Sequence, residues 1–201
     1  MKWLLAVLAL TFLVVSSAAG DDAIVNGNFE LGNTGFSTGY LYSPGNIWPE
    51  GTYDIVTNPS SAHPSASSYG DHTSGSGLMM AGNGSANGNT VIWSETVAVE
   101  EYSMYSLSVW ISSWYPASPA ILDVLFDGVV VGNITAPEEA GVWAECVVSW
   151  DSELASTVTI SIVDRNDIAL GNDFALDDIS MMQVPTAVQA TTWGRIKGMY
   201  K

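Results

Sequence analysis

Along this chain, apolar and polar residues alternate in short runs rather than recurring every three or four positions. Period-two or continuous apolar stretches occupy residues 52–57, 77–81, 90–99, 103–114, 120–126, 129–132, 142–150, 157–163 and 173–182, with turn residues between them. Runs of that length, broken at short intervals, predict strands. Asp127-Gly128, between Phe126 and Val129, predicts a tight hairpin, because a type I′ turn needs positive φ at both central residues. No helical pattern of useful length precedes Pro185. The pattern therefore predicts an all-β, two-sheet antiparallel β-sandwich or jelly roll and argues against a parallel α/β sheet.

Three segments break this rhythm. Residues 31–76 are rich in Gly, Ser, Pro, Asn and aromatics, which reads as extended loops around one or two short strands, and loops are where function concentrates. At the start, Met1-Lys2, the apolar run Leu4 to Val15 and the small residues Ser17-Ala18-Ala19-Gly20 predict a signal peptide at 1–20. The run is short for a bilayer span, so no integral span is expected in the mature chain. After the domain at 21–184, Pro185 to Lys201 reads as a linker and a basic, aromatic tail, either a disordered end or a contact element for a cell surface or secretion machinery. Trp193, Ile196 and Tyr200 are spaced for one face of a short helix.

Charge narrows the partners. The net charge is -16, all 21 acidic residues lie between Asp21 and Asp178, and Arg165 is the one cation in that span. Such a surface repels nucleic acid and anionic lipid and suits calcium or neutral ligands, although a merely solubilising acidic surface is an equal reading. Cys146 is the only cysteine, which rules out an internal disulfide. It sits at an apolar position of an alternating run and reads as a small buried hydrophobe.

The residues that carry a resemblance are Asn26-Gly27-Asn28-Phe29-Glu30, the turn at Gly35-Phe36, Gly75-Ser76-Gly77-Leu78-Met79, Trp93-Ser94-Glu95-Thr96-Val97, Tyr105 to Trp110 and Phe174-Ala175-Leu176-Asp177-Asp178-Ile179. Their order resembles that of galactose-binding-like jelly rolls, above all the carbohydrate-binding modules of bacterial xylanases and glucanases and related domains of bacterial surface proteins. Phe36 and Glu95 stand where that pattern usually has Trp and Gln.

Two kinds of site follow. Calcium takes six to eight hard oxygen ligands. Glu30 is expected to end the first strand, Asp177 lies in the last, and Asp71 sits in a Gly-rich loop. The resemblance implies a structural calcium at this junction, held by Glu30 and Asp177, with Asp71 added from the loop; surface carboxylates without an ion are the alternative. Alternation sets Asp177 and Asp178 on opposite faces of their strand. The acidic loop from Asp164 to Asp173 lacks EF-hand spacing and reads as solvated.

Sugar rings stack their C–H faces on Trp or Tyr while their hydroxyls bond nearby polar groups. Along residues 105–114, Ser106, Ser108, Trp110, Ser112 and Trp114 share one face, opposite Tyr105, Leu107, Val109 and Ile111. Trp110 and Trp114 are the expected carbohydrate platform, with Trp48 and Tyr53 closing over it and Trp93 or Trp150 as further candidates. Ordinary core packing competes for each of these aromatics.

Catalysis is not expected. His63 and His72 fit no metal or nucleophile motif, and carboxylates on opposite strand faces cannot flank one glycosidic bond. The leading expectation is a secreted or cell-surface, noncatalytic module that binds polysaccharide or glycan and is stabilised by calcium. The alternative is a cell-surface or matrix structural or adhesion sandwich without sugar binding.

Overall fold

The computed structural model describes residues 20 to 185. The expected signal peptide up to residue 19 and the expected tail from residue 186 onward lie outside the described residues.

A two-residue strand, β1 (Leu41–Tyr42), lies in the loop-rich stretch, and the others form where alternation put them: β2 (Thr52–Val56), β3 (Met79–Asn83), β4 (Thr90–Ala98), β5 (Met104–Tyr115), β6 (Ile121–Phe126), β7 (Val129–Thr135), β8 (Trp143–Asp151), β9 (Thr157–Asp164) and β10 (Asp173–Gln183). One short 3-10 turn, Pro59–Ser61, interrupts the long loop, with the Asn58 side chain capping it. Asp127 and Gly128 both take positive φ, 47° and 80°, as the β6–β7 hairpin requires.

The strands form a six-stranded sheet in the order β1-β2-β3-β10-β5-β8 and a four-stranded sheet in the order β4-β9-β6-β7. Apart from the short parallel β1–β2 contact, neighbours are antiparallel. The sheets pack face to face as a jelly-roll sandwich. Tyr105, Leu107, Val109 and Ile111 of β5 meet Leu122, Val124 and Phe126 of β6 and Val158, Ile160 and Ile162 of β9 in its core. Cys146 packs at the margin of this core, where burial and the neighbouring Glu145 raise its thiol pKa. No helix of the described residues is long and apolar enough to cross a membrane.

The last strand lies inside the larger sheet, between β3 and β5, so the chain ends of the domain meet there. The first segment differs from expectation. Residues 23–31 form bends and turns rather than a strand ending at Glu30. Asn26 and Phe29 adopt φ of 60° and 57°, and positive φ at two close positions is incompatible with an extended strand. Asn26 holds the turn: its Nδ2 donates to the carbonyls of Gly32 and Thr34, and its Oδ1 accepts from Leu31 N. The segment still reaches β10, because Ile179 N donates to Gly27 O at 3.0 Å and Ala23 N to Met181 O at 2.9 Å.

Candidate functional site

Alternation along β5 holds through Trp110. Ser106, Ser108 and Trp110 are half-buried on the outer face of the six-stranded sheet while their neighbours fill the core. Beyond them the loops on either side of β2, within residues 43–69, fold back over that face. Ile47, Val56, Ala62 and Ala81 enclose Trp114, whose Nε1 donates to Gly82 O at 3.0 Å. Trp114 is wholly buried and presents no face to a ligand.

Tyr53 also departs from expectation. It belongs to the core between the sheets, with its hydroxyl donating to Asn33 Oδ1 at 2.7 Å. Trp93 is fully buried, and Trp150 stacks on Phe126 with ring centroids 4.9 Å apart. Trp110 keeps partial access, but the His72 imidazole lies 3.7 Å away and 16° from parallel, covering its face. Trp48 is 61% exposed, yet it stands elsewhere, so the four aromatics do not form one platform. The physical reason is that this sandwich fills two apolar cores, one between the sheets and one beneath the long loop.

Trp48 forms the rim of a cleft of about 340 Å³ at the end of the larger sheet, lined with Glu50, His63, Asn83, Tyr115 and Asp173. One indole face rests on His63, which in turn packs on Trp114 at 4.9 Å. Asn83 Nδ2 donates to the carbonyls of Ile47 and Trp48, fixing the loop that carries the indole. Burial lowers the His63 pKa and favours its neutral form. Asp173 is 5% exposed, and burial pushes its carboxyl pKa up to about 7, with Glu50 and Asp164 adding like-charge repulsion. Its Oδ1 accepts from Gly84 N at 3.1 Å.

The acidic loop behind this cleft is solvated at Arg165, Asp167, Ile168 and Leu170, as expected, but its two ends are buried. Asp164 and Asn172 are fully buried. Asp164 Oδ2 accepts from the Tyr40 hydroxyl at 3.0 Å and from Asn172 Nδ2 at 2.8 Å, while Oδ1 accepts from Asn166 N at 3.0 Å. Polar groups in such a place persist because they satisfy one another. Asn172 Oδ1 is the exception, a buried acceptor with no partner among the described residues.

Of the three expected calcium ligands, Glu30 and Asp71 meet at Gly77, and Asp177 lies close enough to Asp71 to feel its charge. A Cβ built on Gly77 would lie 2.3 Å from Glu30 Oε1 and 2.9 Å from Asp71 Oδ2, so a side chain there would push both carboxylates aside. Glu30 Oε1 accepts from Leu78 N at 2.6 Å, and Asp71 Oδ1 accepts from Gly77 N at 2.8 Å. Asp177 is fully buried in β10, its Oδ2 accepting from His72 N at 2.9 Å. Burial, then Asp178, and more weakly Asp71, raise the Asp177 pKa to about 7. Among the described residues no group of three His, Cys, Asp or Glu side chains is arranged to hold a metal ion.

Asp178 does not occupy the opposite side as simple alternation requires. The strand register shifts between Asp177 and Ser180, and Asp178 takes φ of 45°. A bulge of this kind re-aims side chains. Asp178 Oδ2 lies 2.7 Å from His72 Nδ1, so both aspartates contact the same histidine residue.

Sequence reasoning missed Glu50, His63, Asn83, Tyr115 and Asp173 as one group. Pro and Gly flanks marked the loops, but nothing local marks a meeting of β10 with the loop before β2.

Against solved structures, the CBM22-1 xylan-binding domain from Paenibacillus barcinonensis matches with a TM-score of 0.55 at 14% identity, over 86% of this chain and 100% of that one. The shared feature is the two-sheet jelly-roll fold. The tandem CBM22 domains of the same organism match this jelly roll at 0.56 and 16% identity, over 87% of this chain and 49% of theirs. A Stig cyclase from Fischerella sp. TAU matches at 0.60 and 11% identity, over 84% of this chain and 100% of that one. At such identities the likeness is one of fold, and the fold hosts both binding modules and enzymes. No protein-family model matches the chain, and no curated protein sequence does.

Proposed function

We propose that this protein is a secreted, noncatalytic carbohydrate-binding module stabilised by calcium, with its saccharide seat in the Trp48 cleft. The observation that carries this reading is the exposed Trp48 indole, backed by His63 at 4.9 Å and set beside the polar groups of Glu50, Asn83 and Asp173. An apolar stacking face beside hydrogen-bonding side chains suits a pyranose ring. The jelly-roll fold shared with a xylan-binding domain supports the same reading.

The calcium part rests on donor chemistry. Glu30, Asp71 and Asp177 offer only hard oxygens, and buried Asp177 feels the like charges of Asp178 and Asp71. A divalent cation there would relieve that repulsion and tie the first segment to the last strand.

Glycan-array binding of the purified domain, repeated with Trp48→Ala, tests the seat. Saturable, competable binding lost in the variant is the expected result, and release of reducing sugar would overturn the noncatalytic part. The structural or adhesion reading is favoured by the burial of Tyr53 and Trp114. It gains if no glycan binds while the domain associates with itself or with matrix proteins.

A further inference from the structure

We infer that the Trp48 cleft selects saccharides carrying a free amine, an unacetylated amino-sugar unit whose ammonium is held by the Glu50 and Asp173 carboxyls while its ring lies against Trp48. This rests on the cleft being the saccharide seat.

Asp173 is the central group of the cleft wall. Its side chain is 95% withdrawn from solvent, judged by a relative exposure of 5%, yet it lines the cleft. One oxygen is held by Gly84 N, while Oδ2 has no hydrogen-bond partner among the described residues. Asn172 Oδ1 is the buried acceptor without a partner among the described residues, so Asp173 Oδ2 keeps contact with solvent at the cleft wall and is free to accept from a ligand. Glu50 lines the same cleft and is close enough to push the Asp173 pKa upward.

Nothing among the described residues answers this negative charge. Arg165, the one cation in the domain, donates from Nη1 to Asp123 at 3.1 Å. His63 is biased toward its neutral form by burial. An ammonium satisfies both carboxyls and gains cation–π attraction from an exposed indole. A uronic acid meets two like charges. An N-acetyl group removes the charge and adds bulk where the carboxyls sit.

The pH dependence follows from the groups around Asp173. Glu50 and His63 line the same cleft, and Glu50 and Asp164, the latter bonded to the Tyr40 hydroxyl, add like-charge repulsion at Asp173. Binding an ammonium favours ionised Asp173, whose pKa is near 7 in the free protein. Affinity is therefore lost as pH falls below that value, with a proton released on binding near it.

Calorimetry on the intact chain, in calcium, tests the inference. The probes are a fully deacetylated chito-oligosaccharide, its N-acetylated counterpart, a xylo-oligosaccharide and an oligogalacturonate, each at pH 7.5 and 5.5. The deacetylated probe is expected to bind at least tenfold tighter than the others at pH 7.5 and to weaken at 5.5. Trp48→Ala and Asp173→Asn should each remove tenfold or more. Glu50→Gln, on the exposed rim where folding is not at stake, should weaken the deacetylated probe alone. Glu153→Gln, an acid outside the cleft, should change nothing. Trp48-dependent binding of the xylo-oligosaccharide with equal or greater affinity overturns the amine selectivity and leaves the saccharide seat standing. Amine binding that ignores Trp48 and Glu50 is attraction to the acidic surface and overturns the inference. No binding of any probe overturns both.

Discussion

The Trp48 indole lies against the His63 imidazole, ring centroids 4.9 Å apart and planes 15° from parallel. His63 packs in turn on the buried Trp114, also at 4.9 Å. An exposed ring is thus fixed to a buried one through a single histidine. That gives the cleft a rigid wall with little ordering cost on binding.

This stack separates binding from stability. Trp48→Ala is expected to abolish glycan binding with a melting temperature close to that of the parent, since most of the side chain is exposed. Trp114→Ala empties the core beneath the loop and should cost about 3–5 kcal/mol. Parallel denaturant titrations and binding assays check both; a large stability loss in the Trp48 variant would show that the indole is structural.

Calcium should stabilise the domain. At a hundredfold excess over its Kd, a ligand that binds only the folded state adds about 2.7 kcal/mol. Chelator is expected to lower the melting temperature, and Glu30→Gln or Asp177→Asn should remove that response. Identical melting curves with calcium and with chelator, after metal removal is confirmed by elemental analysis, would rule out the site.

Metal-free protein should lose stability as pH rises. The Asp177 pKa is raised from 3.8 to about 7 in the folded state, so its contribution is fully present below about pH 4 and is lost as pH climbs through 7. Asp173, raised by burial to the same range, acts in the same direction. Urea unfolding at a series of pH values in chelator should show the decline. Calcium should flatten the part that belongs to Asp177, as should Asp177→Asn.

Gly27 is expected to tolerate no side chain. A Cβ there would stand 1.8 Å from the Ile179 carbonyl oxygen, a backbone atom that cannot rotate away. Gly27→Ala must part the first segment from β10, at a cost of about 1–3 kcal/mol or more. The urea midpoint measures it, with Gly45→Ala, where φ is 73° but no atom lies within 4 Å, separating backbone strain from the steric clash.

Removing residues 186–201 should leave thermal stability unchanged, because β10 ends at Gln183 and Val184 N, just after it, is already bonded to Met104 O at 2.8 Å. Retention at the cell surface is the property expected to change. Unfolding of the truncated domain, or unaltered retention, would count against a sorting or contact role for the tail.

The sequence by itself determined what depends on near neighbours. Side chains alternate across an extended backbone, so Tyr105, Leu107, Val109 and Ile111 could be assigned to one face from their spacing alone, and the structure buries them together. Asp127-Gly128 carried its own turn chemistry. Tertiary structure decided what depends on segments distant in the chain. Whether Trp114 is a platform or a core residue turned on the loops on either side of β2, within residues 43–69, folding over it, which no pattern within β5 encodes. Asp178 left its expected face because β10 bulges against β5, a matter of pairing rather than composition. Glu50 and Asp173 share a cleft because β10 enters the sheet between β3 and β5, beside the loop that precedes β2. Periodicity records which way a side chain points from its own strand, and strand order and loop packing decide what it meets there.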